Sequence, residues 1–152
     1  MTPSYKSKTL AAWAALVGGP VGLHRFYLYG LGDFWGWLHA VPTLLGLWGI
    51  NRALNYGQDD QLAWLLIPVL GCMVAFTMLH AILYGLTPDE KWHAQFNPNL
   101  GAQDTPPSSG WGVVVAIVLS LMLGATVLMA TIAFSGQRYF EYQVQEGLKM
   151  SQ

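Results

Sequence analysis

Charge is what this chain has least of. Only 10% of its 152 residues are Asp, Glu, Lys or Arg, against about a quarter in a typical soluble domain. A soluble chain of this length could bury one core, but it would need a charged exterior to cover that core, and those residues are missing. Basic clusters are missing too. The net charge is −1, which excludes nucleic acid as a partner, because such binding draws its affinity from neutralised phosphates. A lone cysteine, Cys72, excludes an internal disulfide. No H-E-x-x-H, glycine-rich phosphate loop or nucleophile–base arrangement occurs, so no catalysis and no cofactor are expected. Lys6 and Lys8 precede a short apolar run in the manner of a signal peptide, but no small-x-small cleavage site follows, and the segment is expected to remain.

Apolar residues take the place of the charges: they make up 53% of the chain, and mean hydropathy is +0.37. Leu62 to Leu86 and Trp111 to Phe134 run without a charge, each longer than the roughly 20 residues that cross a bilayer. In lipid a single apolar segment satisfies its backbone only as a helix, so both read as transmembrane helices. Phe34 to Ile50 is a shorter third segment. Leu10 to Leu23 is too short alone and spans only if its helix continues through "HRFYLY" to about Tyr29. The expected fold is therefore all-α, an integral membrane protein of four helices at about 9–29, 33–50, 62–86 and 111–135, with an outer loop 87–110 and a short C-terminal tail.

Counting Lys and Arg around those spans puts Lys6, Lys8, Arg52, Arg138 and Lys149 on one side and Arg25 and Lys91 on the other. Basic residues resist translocation, which predicts both termini in the cytoplasm. Trp35, Trp64, Trp92, Trp111, Tyr27, Tyr29, Tyr84 and Tyr139 fall near predicted helix ends, as interfacial aromatics do. In the outer loop, "TPDE" predicts a short helix capped by Thr87 and ending near Phe96, and "DTPPSSG" a linker. No internal repeat relating the first pair of helices to the second is expected. With no organelle presequence, N-x-S/T sequon or long soluble segment, the location leans towards a bacterial inner membrane.

The stretch "GGPVGLHRFYL", preceded by "K-S-K" and a small-residue helix and followed by a segment ending "LLGLWGI", resembles the two-transmembrane-helix (TM2) domain family over roughly residues 6–54. That resemblance implies a tight hairpin of two membrane helices with the G-x-H-R-F-Y-L motif at its turn. Tyr29 stands where the family usually has glycine, Asn51 where aspartate is common, and the second helical pair (55–152) lies outside the domain.

The residues of the hairpin admit two readings. His24, Arg25, Phe26 and Tyr27 can mark a helix end, with Arg25 snorkelling to the headgroups, or they can form a recognition surface for lipid or a protein partner. Asp33 reads as the N-cap of the second helix and as a charge partner for Arg25 across the turn. Gly18 with Gly22, Gly32 with Gly36, and Ser120 with Gly124 place small residues four apart. Such spacing lets helices approach closely within the chain or between two copies. His39 and His80 sit inside the second and third helices. Cys72 and His80 are too far apart along one helix to share an ion, and two histidines fall short of a ligand set. No metal is expected, and interhelical hydrogen bonds are. Function reads as a non-catalytic interaction or regulatory module that meets membrane lipid and another membrane protein or itself. The alternative is a small-solute or lipid transporter, or an oligomeric pore.

Overall fold

The computed structural model describes residues 5–57, 59–99 and 108–151. Every regular element among them is helical: α1 Lys8–Gly18, a single 3₁₀ turn Gly19–Val21, α2 Leu23–Tyr29, α3 Phe34–Leu38, α4 Ala40–Tyr56, α5 Gln61–Leu86, α6 Asp89–Phe96 and α7 Trp111–Met150. The expected linker at 104–110 lies mostly outside the described residues.

The continuous helix expected over 9–29 is not formed. Ser7 caps α1, its side chain accepting from the Leu10 N–H, but "GGPVG" stops it. Pro20 has no N–H to give, and Gly22 takes φ +79°, a left-handed conformation that ends a helix and that glycine adopts at little cost. The chain then doubles back. Lys6 Nζ donates to the Tyr27 carbonyl at 2.7 Å and the Ser7 N–H to Tyr27 Oη at 2.7 Å, while Leu28 packs on Ala11 and Trp92. The ends of α1 and α2 thus lie together beside α6. The tip of this hairpin meets the middle of α5, where a Cβ on Gly19 would overlap the Thr77 side chain. Thr77 is about 14 Å down the helix from Leu86. The hairpin penetrates less than half the length of α5.

α3 and α4 form one nearly continuous rod, broken at His39 because Pro42 lacks the N–H that would bond Leu38 and its ring crowds that carbonyl. It runs to the far end, where α5 starts back. α5 is the central helix, with α4, α7 and α1 all packed on it and α1 also against α7. The small side chains of Ala11, Ala12, Ala15, Ala81 and Ala116, all essentially unexposed, allow that close approach. α7 continues well past the expected 135. Its last turns keep good helix formers and the i,i+3 pairs Arg138–Glu141 and Glu146–Lys149, and nothing there breaks the ladder. The C-terminal tail is helix.

Lys8 pairs with Asp89 and donates to the Thr87 carbonyl at 2.9 Å, and the Lys6 N–H donates to Asn97 at 2.7 Å. The segment entering α1 therefore sits with the α5–α6 connection, whereas α7 passes Trp64 at the opposite end of α5. A short internal repeat joins the first turn to the second and leaves untouched the expectation that no repeat relates the two helical pairs. Gly19, Gly22, Arg25, Tyr29, Gly30, Asp33, Trp37 and Leu38 recur in register as Gly46, Gly49, Arg52, Tyr56, Gly57, Asp60, Trp64 and Leu65. The two R-x-x-x-Y-G-x-x-D turns fold alike. Gly30 and Gly57 close a helix at φ +88° and +89°. Asp33 and Asp60 cap the next helix, accepting from Gly36 N–H at 2.7 Å and Ala63 N–H at 3.1 Å. The first turn opens at the α6 end and the second at the opposite end.

Candidate functional site

The hairpin residues are engaged within the chain. Arg25 donates to Asp33 in bidentate fashion at 2.6 and 3.1 Å and lies over the Tyr29 ring. Its fork is taken. Phe26 stacks beside Trp37, ring centres 5.1 Å apart, and lies over Gly36, where a Cβ would collide with it. Tyr27 holds Ser7, as described above. Arg25, Phe26 and Tyr27 thus form an internal clasp across the turn.

The glycine pairs divide. Gly18 and Gly22 are not a helix stripe, because α1 ends at Gly18. Gly22 instead lies against the Gly36 carbonyl, backbone on backbone. Gly32 stands in the open turn with nothing near its Cβ position. Ser120 is fully buried, and Gly124 lies under Met78 of α5, so that stripe is spent on packing inside the chain. Gly46 beneath Leu70, Gly49 beneath Leu66 and Gly85 against Ile117 do the same work.

At the α6 end, Asp89 accepts from Lys8, from Ser109 Oγ and from the Ser109 N–H at 3.0 Å. These bonds, Lys8 first, hold its carboxyl well below the usual carboxylate range. Thr87 does not cap α6. Its hydroxyl donates back to the Leu83 carbonyl at 2.7 Å, closing α5. Trp92, nearly unexposed, donates its indole N–H to the Lys6 carbonyl at 2.8 Å. His93 contacts Asn97 and stacks near Tyr5.

The most unusual group of side chains lies just above the hairpin tip. His24 of α2 is fully buried, with ring centres of His39 at 5.2 Å, His80 at 5.5 Å and Tyr84 at 5.8 Å. The interhelical hydrogen bonds expected of His39 and His80 are not made. Each ring bonds its own helix: Nδ1 of His39 lies 2.6 Å from the Trp35 carbonyl and Nδ1 of His80 3.0 Å from the Phe76 carbonyl. A carbonyl only accepts, so both nitrogens carry the proton and both rings keep Nε2 as a bare lone pair in the neutral form. His39 Nε2 and both nitrogens of His24 are buried without a partner. Among the described residues, no group of three or more His, Cys, Asp or Glu side chains could hold a metal ion. The sequence shows His39 and His80 as inward residues. It hides their meeting with His24, because that depends on the chain doubling back at Gly22.

Two of these helices, α5 and α7, are long and apolar enough to cross a membrane. No family model, no curated protein and no solved structure matches this chain.

Proposed function

We propose that the chain is a multi-pass membrane protein in which α3–α4, α5 and α7 cross the bilayer and α1–α2 enters from one side and returns to it. Its role is that of a non-catalytic module that assembles with another membrane protein or with a copy of itself. One observation carries the membrane reading: in the most apolar stretches of α5 and α7 only 28% and 17% of residues are buried. A soluble protein's core helix would be mostly buried; these present Leu65, Leu79, Leu83, Val118, Leu121 and Met129 outward, which only lipid or another apolar surface can cover. The TM2 resemblance over 6–54 belongs to this reading, with the crossing assigned to α3–α4 rather than to α1–α2.

In this proposed arrangement the count of basic residues does not choose a side. With α1 and α2 on the α6 side, Lys6, Lys8, Arg25 and Lys91 face Arg52, Arg138 and Lys149, and the five-to-two margin is gone. Cysteine labelling tests the arrangement. With Cys72→Ala as background, cysteines at Ser7 and Ser108 are expected to react with an impermeant reagent from the same side of the membrane, and one at Ser151 only from the other. Labelling of Ser7 and Ser151 from one side would restore a fully crossing first helix. Affinity isolation in mild detergent then tests assembly: a specific membrane partner or a dimer is expected, and a chain that remains monomeric and alone overturns it.

The transport reading has one observation in its favour. Broken backbone at membrane depth, as at Gly19–Gly22 and His39, is tolerated where it is buried or lines a cavity, and such breaks flank ion sites in transporters. Flux of a solute through reconstituted protein that is lost in His39→Ala or His80→Ala would favour it over the assembly reading.

A further inference from the structure

We propose that two copies of this chain pair in parallel along the outer face of α7. The proposal rests on the assembly reading above and names its partner and its surface. The side of α7 that carries the buried Val113, Ala116, Ser120 and Gly124 meets α1 and α5. On the opposite side a second row runs from Val115 to Met150 in alternating steps of four and three residues, with Met122, Thr126, Met129, Ala133, Gly136 and Phe140 at its centre. Every position of that row is exposed except Gly136, which is partly covered. Alternating steps of four and three keep one face of a helix turned towards a partner and wind the two helices left-handed around each other.

Gly136 and Gly147 lie on this row, and the fold of one chain gives no reason for them. A glycine inside a helix weakens it relative to alanine. Gly46, Gly49, Gly71, Gly85 and Gly124 sit inside helices against atoms that a Cβ would strike, whereas a Cβ on Gly136 or Gly147 would meet nothing. A second backbone arriving on that face supplies the reason, because small residues let helices approach closely where lipid gives no hydrophobic drive. The charges agree. Arg138, Glu141, Glu146 and Lys149 all fall off the row, so the polar last turns of α7 still present an uncharged seam. The row is about 54 Å long, and a contact strip about 10 Å wide covers roughly 500 Å² on each copy. The total of about 1,000 Å² is the size a specific interface needs. Copies enter the membrane the same way round, so a twofold axis along the membrane normal sets each residue of the row beside its own equivalent.

Disulfide cross-linking of the full chain in membranes is the test, with Cys72→Ala as background. Single cysteines from Met129→Cys, Ala133→Cys and Gln143→Cys are expected to join two copies on mild oxidation, because equivalent positions meet across the axis. Leu128→Cys and Gln145→Cys, exposed but off the row, are expected to give little dimer. A second measurement separates pairing from folding. Gly136→Leu and Gly147→Leu have room within one chain, so each is expected to leave helix content and melting temperature intact while weakening the dimer about tenfold or more in detergent. Cross-linking as strong at Leu128→Cys and Gln145→Cys as on the row, or a dimer unchanged by both leucines, overturns the seam. No cross-link on the row together with another membrane protein held in mild detergent also overturns it and leaves the assembly reading standing. A chain that stays monomeric and alone overturns both.

Discussion

The turns 25–33 and 52–60 carry the same arginine, tyrosine, glycine and aspartate, and they differ in what lies beneath them. In the first, the preceding glycine, Gly22, is left-handed and presses on the Gly36 carbonyl, so the helix arriving at the turn is only seven residues long and lies in a hairpin. In the second, the matching Gly49 is helical and packs under Leu66, so the arriving helix is α4, of 17 residues. The closing glycines, Gly30 and Gly57, have open space around them in both. One local solution for reversing a helix therefore serves a tight re-entrant fold and a wide connection. The choice between them is made upstream, by whether a proline sits beside the glycines: Pro20 in the first copy, Leu47 in the second.

Gly22→Ala should have the largest effect. The left-handed conformation alone costs about 1–2 kcal/mol, and overlap with a backbone carbonyl adds a cost that flexible side chains cannot relieve, for a total of roughly 4 kcal/mol or more. Thermal unfolding in detergent, followed by circular dichroism, should show that loss, and Gly49→Ala should be milder because Gly49 is helical and carries no left-handed strain, although its Cβ would still overlap Leu66. Equal effects at the two positions would break the comparison. Gly30→Ala and Gly57→Ala come next. Each should cost about 1–3 kcal/mol, alike within error, because both combine positive φ with extended ψ, a region nearly confined to glycine, and only backbone strain is involved.

The smallest effects are electrostatic and depend on pH. Asp60 is held below the ordinary carboxylate value of 3.8 by its hydrogen bond with Arg52, and Asp89 by Lys8 and Ser109. A depressed folded pKa contributes stability that is complete above the unfolded value and is lost as pH falls through the folded one. Wild-type melting temperature should therefore be flat above about pH 5 and decline on acidification below about pH 4. Asp60→Asn or Asp89→Asn should lower it at neutral pH and flatten that decline. Asp89→Asn should also raise proteolysis at Ser7, since the Lys8–Asp89 pair helps dock the N-terminal segment. Protection that survives both Asp89→Asn and Lys8→Ala would show that Trp92 and Asn97 hold the segment without the ion pair.

Periodicity and run length made α5 legible to within a residue, together with the start of α7 and the cap and ion pair at Asp33. Their causes are local: an unbroken apolar run, and an aspartate before it. The hairpin was not legible in the same way. "GGPVG" carries every signal of a helix stop, but a length argument that asks each apolar run to reach 20 residues reads through it to Tyr29. The clustering of His24 with His39 and His80 follows only once that stop is accepted. The end of α7 was missed for the opposite reason, since the polar residues after Phe134 end a membrane run without ending a helix. The repeat is legible only when the first turn is aligned with the second, and not when one helical pair is aligned with the other.

The docking of α1 has a consequence for how the protein is made. Trp13 donates its indole N–H to the Gly112 carbonyl at 3.0 Å, Lys8 reaches Thr87, and Ala12 packs on Val113 and Ala116. All of these partners lie some 80–100 residues downstream. At a synthesis rate of about 5–20 residues per second, α1 waits roughly 5–20 s before these partners exist. The beginning of the chain is thus the last piece to be seated, and through that interval the apolar hairpin must be sheltered by lipid at the interface or by a chaperone.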